Sequence, residues 1–222
     1  MTINTKKNVP LRRYNPLDRL VMHLDQGLRT LFGAPLTTER KDPAMDLPEP
    51  LLMPSERRHV AGLMRINHAG EVAAQALYQG QALTARLPEV RERLEQSAQE
   101  ENDHLRWCED RLIALKSHKS YFNPLWYLGS LAIGAVAGLA GDRWSLGFVV
   151  ETERQVVHHL ATHLQALPSQ DEKSKAILNQ MQADEGHHAT VALEAGGVEL
   201  PAPVKAAMRF MSKVMTKTAY YF

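Results

Sequence analysis

Two short stretches carry the same chemistry: Glu101-Asn102-Asp103-His104 and Glu185-Gly186-His187-His188. Each sets a carboxylate and an imidazole three residues apart. On an α-helix such positions share a face, with Cβ atoms roughly 5–6 Å apart, so a carboxylate oxygen and a ring nitrogen can hold one metal ion. Two such helices facing each other can hold two ions, and a four-helix bundle completes the shell with one glutamate from each remaining helix. The sequence offers Glu71, in Asn67-His68-Ala69-Gly70-Glu71, and Glu153, in Glu151-Thr152-Glu153-Arg154. Four carboxylates with two neutral histidines balance two Fe(II) ions. Without metal, four buried carboxylates would repel one another and be poorly solvated.

Each candidate has a rival. Glu56-Arg57-Arg58-His59 has the same spacing but lies 12 to 15 residues before Glu71. That is about 18–22 Å along one helix, too far to share a site. Glu151 competes with Glu153 but sits about 200° around the helix from it. Asp184-x-x-His187 competes with Glu185-x-x-His188. Ile177, Leu178 and Met181 set the inner face of that helix, and their spacing selects Glu185 and His188. Cys108, one turn past His104, reads as a buried structural thiol. His158, His159 and His163 follow Glu153 and are satisfied histidines, neighbours of the ligands or proton carriers. The plainest alternative for the whole set is four amphipathic helices with exposed charges.

These residues need helices to position them, and the composition favours helix. Ala, Leu, Gln and Glu are common, and aromatic residues make up only 6% of the 222. A formal net charge of +1 gives no global basic excess, so nucleic acid is not an expected partner. The single cysteine excludes an intrachain disulfide and a Cys-based zinc or iron–sulfur site within one chain, and it suits a reducing compartment. Lys6, Lys7, Arg12 and Arg13 have no apolar run behind them, so no secretory signal is expected.

Along the chain, residues 1–15 are expected to be a disordered polar arm. Leu17, Leu20, Val21, Leu24, Leu28, Leu31 and Phe32 follow helical spacing in a short amphipathic helix. Packing of that stripe on the bundle is preferred to binding a membrane. Five prolines in 33–54 predict an extended linker, so the chain divides into 1–54 and a helical domain from 55 to 222. Bundle helices are expected from Ser55, as N-cap, to about Leu87, from Pro88 to about Lys116, from Asp142 to about Ala166, and from Asp171 to about Ala195. Gly62, Gly70 and Gly80 inside the first of these point to close approach by another backbone or a ligand.

Between the second and third bundle helices, residues 120–141 carry no charge and contain Gly134-x-x-x-Gly138. This stretch is expected first as a helix embedded in or lying on a membrane, then as a buried crossover, and last as a true span. A final helix sets Lys205, Arg209, Lys213 and Lys217 opposite Val204, Ala207, Met208, Met211, Val214 and Met215, a pattern that suits a membrane surface. No phosphate-binding loop or nucleophile elbow is present, so any reductant is another protein, a diffusible molecule or the substrate.

The runs Arg65-Ile66-Asn67-His68-Ala69-Gly70-Glu71, Glu101-Asn102-Asp103-His104-Leu105, Glu153 with His158-His159 downstream, and Asp184-Glu185-Gly186-His187-His188 resemble the demethoxyubiquinol hydroxylases of ubiquinone biosynthesis. The resemblance covers roughly residues 55–219. It implies an all-α, ferritin-like four-helix bundle, with a long apolar crossover between bundle helices 2 and 3 and extra amphipathic helices at both ends. It also implies a di-iron monooxygenase that hydroxylates a prenylated methoxy-benzoquinol ring with O2, the next-to-last step toward ubiquinol. By matching positions, Glu71 and His104 would hold one of two iron ions, Glu153 and His188 the other, and Glu101 and Glu185 would bridge them. His159 would stand near the site. Other ubiquinone-biosynthesis proteins, a homo-oligomer and peripheral attachment to the cytoplasmic side of the inner (plasma) membrane are further expectations. Rival classes are a ferritin-like iron-storage or peroxide-reducing protein and a non-catalytic binding bundle.

Overall fold

The computed structural model describes residues 16–222. The arm expected over residues 1–15 lies outside the described residues. Seven helices follow one another: α1 (Pro16–Phe32), α2 (Pro54–Thr84), α3 (Pro88–Ala114), α4 (Asn123–Leu139), α5 (Asp142–Ala166), α6 (Glu172–Glu194) and α7 (Ala202–Tyr221). There is no strand among the described residues.

Proline and aspartate punctuate these helices. Pro54, Pro88 and Ala202, after Pro201, open α2, α3 and α7, where a missing N–H costs nothing. Asp171 caps α6 by accepting the Ser174 N–H. Ser55 does not cap α2. Met53 takes that position, and its N–H donates to Glu56 at 2.8 Å. Asp142, the first residue of α5, fixes the link before α3, because its carboxylate accepts the N–H groups of Arg86 and Leu87. Gly196, at φ 101°, turns the chain out of α6.

Helices α2 and α3 form one hairpin and α5 and α6 another, and the two pack into the four-helix bundle. One core cluster joins Val60, Met64, Cys108, Leu112, Leu160, Ile177, Leu178 and Met181 from all four helices. Buried Cys108 lies 3.8 Å from the Met181 sulfur, the structural role expected of it.

Helix α4 returns the chain from the far end of α3 to the start of α5. It runs parallel to α2, with Asn123 beside His68 at one end and Arg86 donating to the Leu139 carbonyl at the other. Glycines make the contact: a Cβ on Gly80 would collide with the Leu131 carbonyl, and one on Gly134 with the Leu77 carbonyl. The Gly134-x-x-x-Gly138 pair therefore seats α4 on its own bundle. No helix among the described residues is long and apolar enough to cross a membrane. Gly62 meets the Tyr220 ring, whereas Gly70 has no protein atom near its missing Cβ, so no other backbone approaches there.

Helix α1 packs through Leu31 of the expected stripe, but otherwise through its small and polar face. Gly27 sits against Tyr127 and Gln26 donates to Gln75, while Val21, Leu24, Leu28 and Phe32 are exposed. On α4, Leu125, Leu128, Val136 and Leu139 are exposed as well, as are Phe210, Met211 and Tyr221 on α7. Phe122 and Phe222 meet edge-on, which joins the α4 and α7 parts of this surface. The stretch from 33 to 54 is bonded to the bundle rather than free: Asn102 donates to the Leu36 carbonyl, Thr38 donates to Asp103, and Arg111 pairs with Glu49.

Candidate metal centre

Four helices bring six side chains to one place. Glu71 comes from α2, Glu101 and His104 from α3, Glu153 from α5, and Glu185 and His188 from α6, and none is more than 5% exposed. Around His104, Nδ1 lies 3.0 Å from Glu101 Oε2, 3.1 Å from Glu185 Oε1 and 3.6 Å from Glu71 Oε2. Around His188, Nδ1 lies 3.1 Å from Glu185 Oε2 and 3.2 Å from Glu101 Oε1. Glu101 and Glu185 thus each turn one oxygen to one histidine and the other oxygen to the second. Two carboxylates each facing both histidines is the arrangement that the family resemblance implies.

Ligand atoms of Glu71, Glu101, His104 and Glu185 all lie within 4.8 Å of one another, a buried group that could hold a metal ion. Glu153 and His188 are buried beside this group, His188 against Glu101 and Glu185. Glu153 accepts a hydrogen bond from the Tyr78 hydroxyl, and Tyr78 is fully buried two turns after Glu71 on α2.

The electrostatics are those of a cation site. Burial pushes the Glu71 and Glu153 carboxyls well above the usual range, and neighbouring Glu101 and Glu185 push them further. For Glu101, burial also acts upward, but hydrogen bonds from both histidines outweigh it and hold the carboxyl well below its usual range. Burial alone would lower His188, yet bonds to Glu101 and Glu185 carry it up to about 12. Asp184, Glu101, Glu185 and Glu71 likewise overcome burial and raise His104. Protons therefore do the work that metal cations would do between four carboxylates. Glu101 Oε1, also buried, has His188 Nδ1 at 3.2 Å but no well-aligned hydrogen bond. Carboxylates with imidazole are a donor set for Fe(II) and similar ions, and these residues fit such a group.

The rivals are separated by the fold. Glu151 is buried but faces Lys205, at 3.5 Å, and Gln155. His187 is exposed, and so is His158. Glu56 caps α2, and His59 accepts from the Tyr220 hydroxyl. His159 does not lie against the ligands as expected. Its ring packs 5.2 Å from that of His163, in a surface groove that also holds Lys217 and Tyr220. It follows Glu153 by six residues, which turns it to another side of α5.

Three functional positions were not anticipated. Asp184, expected only as a rival ligand, lies 2.9 Å from Nε2 of His104. Glu100 lies 2.7 Å from Nε2 of His188. Tyr78 holds Glu153. A signal was present for the first two, because an acidic residue precedes each bridging glutamate and projects toward the neighbouring helix.

Comparison with known proteins agrees with this geometry. A family model described as "Ubiquinone biosynthesis protein COQ7" matches residues 58–219. A protein of Nitrosococcus oceani named 3-demethoxyubiquinol 3-hydroxylase is 60% identical over 210 residues, covering 95% of this chain and 98% of its own. Proteins of the same name from Acinetobacter baylyi, 58% identical, and Pseudomonas syringae pv. syringae, 57% identical, are matched over 95% and 94% of this chain and 100% and 97% of theirs. With the family's model spanning the whole four-helix bundle and relatives of this identity spanning almost the whole chain, the chain belongs to the COQ7 family of ubiquinone biosynthesis proteins.

Proposed function

We propose that the chain is a 3-demethoxyubiquinol 3-hydroxylase, which uses O2 and two iron ions to hydroxylate the ring of a prenylated methoxy-benzoquinol. The observation that carries this reading is the sharing of Glu101 and Glu185 between His104 and His188. Glu71 and His104 would hold one iron, Glu153 and His188 the other, with Glu101 and Glu185 between them. A bound iron pair would supply O2 activation and the electrons that ring hydroxylation needs.

The protein's own groups do the rest. Asp184 and Glu100 hold the Nε2–H of each histidine, which leaves each Nδ1 turned to the carboxylates. Tyr78 fixes one oxygen of Glu153 and so orients the other. Trp107, Leu105, Cys108 and Met181, all buried around the centre, keep bulk water from it. The substrate's prenyl tail resides in lipid, and the exposed apolar residues of α1, α4 and α7 form the surface that would meet it. We place the protein peripherally on the cytoplasmic side of the inner (plasma) membrane, beside other ubiquinone-biosynthesis proteins and in an assembly with copies of itself. The quinol, being electron-rich, can itself serve as reductant.

Whole-cell quinone analysis after Glu185→Ala tests the reading. Accumulation of a quinone lacking one methoxy group is expected, and a normal ubiquinone pool would reject it.

A further inference from the structure

Residues 36–40 form a strap across α3 and α6, and its last anchor reaches the metal centre. Asn102 Nδ2 donates to the Leu36 carbonyl at 3.0 Å, and the Thr38 N–H donates to Asp103 Oδ1 at 2.8 Å. Arg40 Nη2 then donates to Asp184 Oδ2 at 2.7 Å. That same oxygen lies 2.9 Å from His104 Nε2. Arg40 makes a second approach to the same histidine. Its guanidinium lies 5.1 Å from the centroid of the Trp107 ring, and that ring packs 5.4 Å from the His104 ring. The other histidine is held more simply. Glu100 bonds His188, but its other carboxylate oxygen accepts only from exposed Gln96, and no cation pairs with it among the described residues.

The consequence is chemical. A histidine offers Nδ1 to a metal only when its proton sits on Nε2, and a fixed acceptor at Nε2 sets that tautomer and the ring angle. Asp184 is partly exposed; Gln180 donates to its Oδ1 as Gln96 does to Glu100, but only at Asp184 does a cation, Arg40, pin the oxygen that the histidine uses. Resting on the metal reading above, we propose that Arg40 is a positioning residue for the Glu71–His104 half of the centre. Through the strap that half is set in advance, so it takes metal more tightly than the Glu153–His188 half.

Anaerobic Co(II) titration of the full chain, followed by calorimetry and visible absorption, tests this without using activity. Arg40→Gln is made in two backgrounds: Glu153→Ala, which leaves the His104 half, and Glu71→Ala, which leaves the His188 half. Affinity in the first background is expected to fall about tenfold, as for other partners of metal-bound histidines. In the second it should not change. Arg40→Lys, which keeps the charge on Asp184, should recover most of the loss. Asp184→Asn should give the same half-selective loss, so the result does not depend on one variant folding. An equal loss in both backgrounds would make the strap a general brace and overturn the proposal, as would no loss in the first. Failure of the unaltered chain to take up Co(II) or Fe(II) would instead reject the metal reading itself.

Discussion

Glu100 of α3 stands 2.7 Å from Nε2 of His188 on α6, and Asp184 of α6 stands 2.9 Å from Nε2 of His104 on α3. Each is the residue before a glutamate that faces both histidines, so each helix supplies one such glutamate and also braces the histidine of the other. Glu100→Gln keeps the shape but removes the charge that the His188 N–H meets. Iron retained after dialysis should fall toward one ion per chain, with affinity at the second position lowered about 10–100-fold. Thermal stability of the metal-free chain should hardly move, because Glu100 is partly exposed. Retention of two ions at unchanged affinity would remove Glu100 from the centre.

Metal uptake should release protons and tighten as pH rises. Folding raises His188 to about 12 and also raises His104, so both carry a proton at neutral pH that a metal must displace. Glu71 and Glu153, raised by burial, add to the count. Each displaced proton should strengthen binding about tenfold per pH unit between pH 6 and 8. Calorimetry in buffers of different ionisation heat counts the protons directly, and an enthalpy independent of buffer would contradict the charge pattern of the site.

Gly134 touches the α2 backbone at Leu77, so Gly134→Leu has no rotamer that avoids a clash. A loss of about 3 kcal/mol or more in unfolding free energy is expected, at the upper end of overpacking, since backbone must move. Gly129→Ala on the same helix, with open space around it, should be neutral or slightly stabilising through helix propensity. Chemical denaturation of the two variants side by side decides whether α4 belongs to the folding unit.

The gathering of the six side chains was legible because helix geometry fixes what i and i+3 share. The same geometry separated Glu153 from Glu151, which turns to Lys205. Helix limits were legible to within a few residues, since Pro88, Asp142 and Gly196 mark them. Less came through where a pattern names a face but not its cover. The stripe Val21, Leu24, Leu28, Leu31 and Phe32 said that α1 is amphipathic, yet of these only Leu31 meets the bundle, which otherwise takes the small and polar face. Nor could the strap be foreseen. Thr38 to Asp103 and Arg40 to Asp184 are contacts across 65 and 144 residues, and no local period records them.

Acid should destabilise the fold through His163. Burial, and then the neighbouring His159 and His59, lower it to about 4, and its Nδ1–H donates to Asn67. The unfolded chain protonates this group near its ordinary value of 6.5 while the folded chain does not. Its contribution is therefore intact above pH 6.5, shrinks as pH falls, and is gone near pH 4, amounting to at most about 3 kcal/mol. His163→Gln should flatten the stability profile in that window. Parallel profiles for the two proteins between pH 6.5 and 4 would show that His163 is not the cause.

The apolar face of α4 gives the most direct test of lipid contact. Removing residues 120–141 would not serve, because Gly134 and Gly138 seat that helix on α2 and its loss would open the bundle. Leu125, Leu128 and Val136 are exposed and bear on no core cluster, so Leu125→Gln, Leu128→Gln and Val136→Gln together should leave the fold and the metal centre intact. Burying three such side chains in lipid is worth about 1.5–3 kcal/mol each, so replacing them should cut vesicle binding at least tenfold. Flotation with vesicles of bacterial lipid measures that loss, and iron content measured in parallel should stay at the level of the unaltered protein. If flotation were unchanged, α1 and α7 alone would have to carry the membrane, and a matching set on α1, Val21→Gln, Leu24→Gln and Leu28→Gln, would then have to abolish it for the lipid reading to stand.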